Sequence, residues 1–390
     1  MKTEMNEKQL TVFLEGHIDS ANAGDIEAEL FDILKANAPV SVVIDAERLE
    51  YISSAGLRII LKVKKAYNDL KIINVSSSVY EIFDVTGFTE IVEVQKAYRI
   101  FDITGCEIIG EGANGKVYRA DRDTIVKVYK DADSLDSIKN ERELARTAFI
   151  MGIPTAIPYD VVKVGDTYGS VFELLNAKSF CELMIEDPVS NLEFVAQESV
   201  KIAKIMHSTD APEDLPKQSD EAKAWTVQVE RFFSDERNKK LKALIDAIPE
   251  TGKMLHGDYH IKNIMYQNNE TLIIDMDTLC TGHPIYELAF MFNAYKGFGV
   301  IDKRKIEDFF KISAESTLSI WKRSLELYFG TDDEAFLAEI EKKASLIGYL
   351  RIMRRVIRMG EENTPDGSEL IEACRTRMNE LIDTLDTLTY

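Results

Sequence analysis

The chain reads GEGANGKV from Gly110 to Val117, HGDYHIKN from His256 to Asn263, and LIIDMD ending at Asp277. A glycine loop alone is a weak signal. Three elements suited to phosphate and hard-metal chemistry, in this order and spacing, are a strong one. Glycines at 110, 112 and 115 allow a strand–turn–strand to fold closely over phosphates without side-chain clashes. Asn263 and Asp275 offer hard oxygen donors of the kind magnesium prefers. The set points to phosphoryl transfer.

At 390 residues the chain has room for two or three domains, each with a sizeable core. Apolar residues make up 45% and charged residues 29%, as in ordinary soluble globular proteins. No apolar run approaches the roughly 18 residues of a membrane helix, so no membrane partner is expected. MKTEMNEKQL has no apolar core behind its charges, which argues against a secretory signal. Cys106, Cys181, Cys280 and Cys374 are scattered without CxxC spacing, so neither a zinc site nor a disulfide framework is indicated. A cytoplasmic location is expected. The net charge of −20 argues against nucleic acid as a partner.

Residues 1–97 read as a small α/β unit. QLTVFLEG alternates like a strand, PVSVVIDA is a short β-branched run and KIINVS another. Between and after them ANAGDIEAELFDILKANA, SAGLRIILKVKKAYNDL and SVYEIFDVTG carry helical spacing. From residue 98 the pattern changes. ITGCEIIGEGANGKVYRADRDTIVKVYK predicts three short strands, SIKNERELARTAFIMGI a helix, and YGSVFELL a strand. That strand ends in a hinge around Glu173 to Asn176. Beyond Phe180 the chain is mainly helical.

The ordered motifs resemble the protein-kinase-like phosphotransferases of the aminoglycoside phosphotransferase and choline kinase branch. That branch writes HGDxxxxN where protein kinases write HRDxxxxN. The resemblance covers about 100–390 and implies an α+β bilobal kinase-like domain at 98–390, with an N-lobe to about 176 and a helical C-lobe beyond. It implies ATP and Mg2+ as cofactors and a small hydroxylated molecule as acceptor. Gly110, Gly112, Gly115, Val117, Lys127, Glu173 and Leu175 would contact the nucleotide. Alternation in TIVKVY puts Ile125 and Lys127 on one face and Val126 and Val128 on the other. Lys127 should pair with a glutamate of the next helix. Glu141 and Glu143 cannot both face the cleft, and spacing to the GIP turn matches the family with Glu143. Asp258 should orient the acceptor hydroxyl, and Asn263 and Asp275 should hold the metal, with Asp277 in a lesser role. Glu287 stands where the family usually has an aspartate that anchors the catalytic loop. His256 and His207 read as structural, and His260 and Lys262 lie near the site.

EGHIDSANA at 15–23 and VVIDAERLEYISSAGLRIIL at 42–61 resemble the STAS domain, the fold of bacterial anti-sigma-factor antagonists. The resemblance implies an α/β STAS domain at 1–97 that binds a protein partner. It also implies regulatory phosphorylation at Ser54, although Ser53 replaces the family's usual aspartate. Ser54 is expected to cap the following helix, where a phosphate would meet the positive end of the dipole. YLRIMRRVIRMG places Arg351, Arg354, Arg355 and Arg358 on one helical face. Surface salt bridges are the favoured reading of that row, with an anion site as the rival. Two other functions stay open: a signalling protein kinase, and an ATP-sensing partner switch without small-molecule turnover. HGD in place of HRD, and the lack of a DFG…APE segment, count against the protein kinase.

Overall fold

A computed structural model describes residues 1–6, 8–111, 115–130 and 135–390; Gly112 lies outside the described residues. The chain divides into two units, 1–102 with 161–166, and 103–160 with 167–390.

The first unit runs β1 (Lys2–Asn6), β2 (Gln9–Ile18), α1 (Ala23–Asn37), β3 (Ser41–Ile52), α2 (Ser54–Ala66), β4 (Lys71–Val75), α3 (Ser77–Val85), β5 (Glu93–Lys96) and a short β6 (Arg99–Ile100). The sheet order is β1-β2-β3-β4-β5. β2 to β5 are parallel and β1 is antiparallel to β2. Strict alternation buries Leu10, Val12 and Leu14 of β2, while Val42 to Ala46 of central β3 are buried without a break. Leu57, Ile60 and Val63 of α2 cover them at helical spacing. The polar β1 carries no alternation signal and was not expected from sequence. Helix α2 is capped by Ser53, whose Oγ accepts from Gly56 N at 3.5 Å. The expectation of Ser54 as the cap is therefore corrected: Ser54 is the first helical residue, and it is exposed.

In the second unit β7 (Ile108–Glu111), β8 (Gly115–Arg119) and β9 (Thr124–Tyr129) form an antiparallel meander. Helix α4 (Leu135–Ile150) follows, then β10 (Pro158–Val164) and β11 (Thr167–Glu173), the latter antiparallel to β9. Val162 and Lys163 of β10 pair with Arg99 and Ile100 of β6, which is why 161–166 groups with the first unit. Gly115 is required by the meander itself, because a Cβ there would lie 2.0 Å from the Val128 carbonyl oxygen.

The remainder is β12 (Lys178–Ser179), α5 (Phe180–Glu186), α6 (Pro188–Ser208), α7 (Gln218–Val229), α8 (Asp235–Asp246), β13 (Lys253–Leu255), β14 (Ile264–Gln267), β15 (Glu270–Ile273), β16 (Cys280–Gly282), α9 (Ile285–Tyr295), α10 (Arg304–Phe310), α11 (Ala314–Phe329), α12 (Glu334–Arg358) and α13 (Pro365–Thr384). Helix α9 is apolar almost all round and accordingly buried, packed by α11 and α12. β13 pairs with β16, and the β14–β15 hairpin lies between them in sequence. These pairings bring the loop after β13 beside the turn after β15. Among the described residues no helix is long and apolar enough to cross a membrane.

Candidate active site

Strand β9 buries Val126 completely and turns Ile125 and Lys127 into a cleft, as the alternation predicts. The Lys127 ammonium donates to Glu141 Oε1 at 2.7 Å and to Asp275 Oδ1 at 2.9 Å. Burial alone would lower its pKa, but Asp275 and then Glu141 overcome that and raise it, so Lys127 stays charged. The second oxygen of Glu141 accepts from the Tyr129 hydroxyl.

The glutamate paired with Lys127 is thus Glu141, which corrects the expectation of Glu143. Glu143 lies two positions on, roughly 200° round the helix. It is bonded to Arg142 at 2.9 Å, in solvent. A sequence signal for the right choice existed. The buried face of α4 is Ile138, Leu144, Ala145 and Ala148, and Glu141 falls on that apolar stripe at i+3 from Ile138 and i−3 from Leu144.

The HGD loop is held by a buried carboxylate. Glu287 accepts from His256 N at 2.5 Å and from Gly257 N at 3.1 Å. The longer glutamate side chain therefore performs the anchoring. His256 braces the same turn: Nδ1 accepts from Asp258 N at 3.2 Å and Nε2 donates to Ile274 O at 3.0 Å. Gly257 has φ of +82°, and a Cβ there would lie 2.3 Å from Thr278 O, so no other residue fits. Thr278 Oγ1, which sequence reasoning did not single out, donates to His256 O at 2.8 Å. His207 is bonded to Tyr328 Oη through Nδ1 at 2.8 Å, while its Nε2 is buried without a hydrogen bond among the described residues.

On this frame Asp258 is half-exposed in the cleft. Burial would raise its pKa, but hydrogen bonding and charge from His260, then Arg351 and His256, hold it at about 2. It is a carboxylate at any working pH. The Asn263 amide donates to Asp258 O at 3.1 Å, and no hydrogen bond of its Oδ1 is seen among the described residues. Asp275 takes a left-handed backbone, φ +67°, that exposes its carboxylate. Asp275, Asn263 and Asp277 line the same cleft with oxygen donors of the kind magnesium prefers, although among the described residues no cluster of three or more His, Cys, Asp or Glu is arranged to hold a metal ion. Burial, then Asp275, push Asp277 up to about 7. Lys262 is bonded to Phe309 O at 3.0 Å. Gly110, Gly115, Val117, Glu173 and Leu175 all line the same cleft.

That cleft has a volume of about 1780 Å³, above the range of roughly 300–1,000 Å³ common for one small ligand. It runs from the strands past Asp258 to α7, α9, α12 and α13, and Arg351, Arg354, Arg355 and Arg358 line its far end. Among the described residues only Arg354 has an ion-pair partner, Glu221 at 3.6 Å. The favoured expectation of surface salt bridges is therefore corrected for Arg351, Arg355 and Arg358, although Arg355 and Arg358 are exposed. Three of the guanidinium groups lie over aromatic rings: Arg351 on Phe290 at 3.8 Å, Arg354 on Trp225 at 5.8 Å and Arg355 on Phe298 at 5.7 Å.

Residues 105–308 match the phosphotransferase enzyme family (APH), and residues 1–102 match the STAS domain. A Bordetella bronchiseptica protein named "Putative anti-sigma factor antagonist BtrV" is 39% identical over 89 residues, covering 22% of this chain and 76% of that protein. Among solved structures, a thermostable mutant of aminoglycoside phosphotransferase APH(4)-Ia in ternary complex with AMP-PNP and hygromycin B superposes with a TM-score of 0.50 at 13% identity, over 72% of this chain and 93% of that one. A choline/ethanolamine kinase family protein from Mesorhizobium loti gives a TM-score of 0.45 at 15% identity, over 72% and 88%. The chain is a STAS domain followed by a kinase-like fold.

Proposed function

This chain belongs to the phosphotransferase enzyme family, and from that premise we propose that its cleft transfers the γ-phosphoryl group of ATP, with magnesium, to a hydroxyl of a small molecule. The observation that carries the reading is Lys127, held between Glu141 and Asp275 in the cleft that also contains Asp258. Phosphoryl transfer needs phosphates held, charge neutralised and the attacking oxygen placed. Lys127 meets the first need and is pre-positioned by Glu141. Magnesium bound by Asn263 and Asp275 would neutralise charge on the bridging phosphates. Asp258 accepts the acceptor's hydroxyl hydrogen bond and aims the oxygen. The oxygen forms its new bond to phosphorus as the bond to the ADP oxygen breaks, and the proton passes to Asp258. With its pKa held at about 2, Asp258 is a weak base. Its role is orientation, with proton uptake late in the transfer.

The STAS domain is read as the regulatory, partner-binding part, with Ser54 as its phosphorylation site. An exposed hydroxyl at the first position of α2 suits a phosphate, which would lie at the positive end of the helix dipole. We set the domain limits at 1–97 and 98–390, a few residues before the division between the two units at 102/103. The test is ATP consumption by the full chain over a screen of hydroxylated metabolites, with Asp258→Asn as the control. Acceptor-dependent ADP release that vanishes in the variant supports the reading, and equal release in both removes it.

A further inference from the structure

Four arginines within eight residues of α12 line the acceptor end of a cleft in a chain of net charge −20. So large an acidic excess could neutralise them internally, yet among the described residues only Glu221 pairs with the row. Lys262, Lys305 and Lys311 also line the cleft, as do Glu182, Glu221, Glu361 and Asp366. Arg351 lies over Phe290 at 3.8 Å, and Arg354 and Arg355 lie over Trp225 and Phe298 at 5.8 and 5.7 Å, contacts that use none of their N–H donors.

Two further donors in the same place lack partners. Arg354 Nε is buried without a hydrogen bond, and so is Gln218 Nε2. Gln218 is only 7% exposed, lines the cleft, and has its oxygen occupied by the Cys280 thiol at 3.6 Å. A buried donor left without an acceptor is costly, and a ligand acceptor atom would remove that cost. Arg351 is half-buried over the Phe290 ring, and its charge helps hold the Asp258 pKa down.

We propose that the acceptor is an anion, a hydroxylated small molecule whose carboxylate or phosphate is bound by Arg351, Arg354, Arg355 and Arg358 while its hydroxyl meets Asp258. This deepens the phosphotransferase reading and rests on it for the hydroxyl. Planar guanidiniums suit two-point recognition of either oxyanion. A polycationic acceptor would be repelled by the same row.

The test is calorimetric binding of four matched probes, glucose, gluconate, glucose 6-phosphate and glucosamine, to the full chain carrying AMP-PNP and magnesium. The wild type is compared with R351Q and with the double variant R355Q/R358Q, whose two side chains are solvent-exposed and safe for folding. Circular dichroism checks each fold. Gluconate or glucose 6-phosphate should bind at least about tenfold tighter than glucose, with glucosamine weakest, and the preference should collapse in the variants. Which anion wins separates a carboxylate from a phosphate site. Equal binding of glucose and both anions, or a preference that survives both variants, overturns the proposal. Anion preference with no ATP turnover on any acceptor would leave the anion site standing and remove the phosphotransferase reading instead.

Discussion

The two ends of the cleft handle charge in opposite ways. At the strand end each key charge already has a partner inside the protein: Lys127 with Glu141 and Asp275, and Glu287 with the backbone of His256 and Gly257. At the helical end three of a row of four arginines lie over aromatic rings but the row is largely unpaired among the described residues, and buried donors are unmade. A paired constellation is pre-organised and keeps its geometry whatever the ligand. An unpaired one is incomplete until a ligand of opposite charge arrives. The strand end therefore reads as chemistry and the helical end as selection.

The comparison can be broken most sharply by Asp275→Ala. Removing the carboxylate that both pairs with Lys127 and offers the metal an oxygen should abolish magnesium-dependent turnover, and ADP release at saturating ATP is the measurement. If turnover persisted, Asp275 would have no place in the chemistry. Glu141→Gln and Glu143→Gln come next as a pair. The first should lower kcat/KM for ATP by on the order of 10–100-fold, and the second should change it less than about twofold, since an exposed ion pair contributes little. Reversed effects would restore Glu143 as the partner.

A smaller, purely structural effect is expected from Glu287→Ala. It leaves two buried N–H groups without an acceptor at about 1–3 kcal/mol each, so thermal unfolding should shift down by on the order of 5–10 °C. An unchanged midpoint would mean the loop is held by something else. The smallest effect should come from Ser54→Asp, which sits exposed at the start of α2. Thermal unfolding of this domain should rise by no more than a few degrees, because an added negative charge at a helix N-terminus stabilises by only about 0.3–1 kcal/mol. A large loss would show Ser54 to be a packing residue.

The strand end was legible in the sequence because its residues are tied to short motifs. Glycines, the HGD turn and the IDMD turn need particular backbones, and Gly257 and Asp275 carry left-handed φ where the motifs place them. Glu141 was misread because motif spacing was weighed above the apolar stripe it belongs to. Ser54 was misread as the cap because SSAGL holds two adjacent serines, and which one starts the helix depends on where β3 ends. The arginine row was seen, but its environment was not. Whether a helical face meets solvent or a cleft is decided by α7 and α9, which lie far from α12 in sequence. The anchoring by Glu287 was expected from its position, though only the fold shows that its extra methylene still reaches both backbone donors.

The central claim is that Asp258 directs transfer from ATP to a small molecule bound in this cleft. Its most direct test is to follow label from γ-labelled ATP in wild type and in Asp258→Asn, with ATP affinity measured alongside. The account predicts label in the small-molecule fraction of an acceptor mixture. It also predicts on the order of hundredfold less label in the variant at unchanged ATP affinity, as loss of a positioned proton acceptor implies. Label on the chain itself, at Ser54 and lost in the variant, would contradict the account and make this protein a kinase of its own STAS domain.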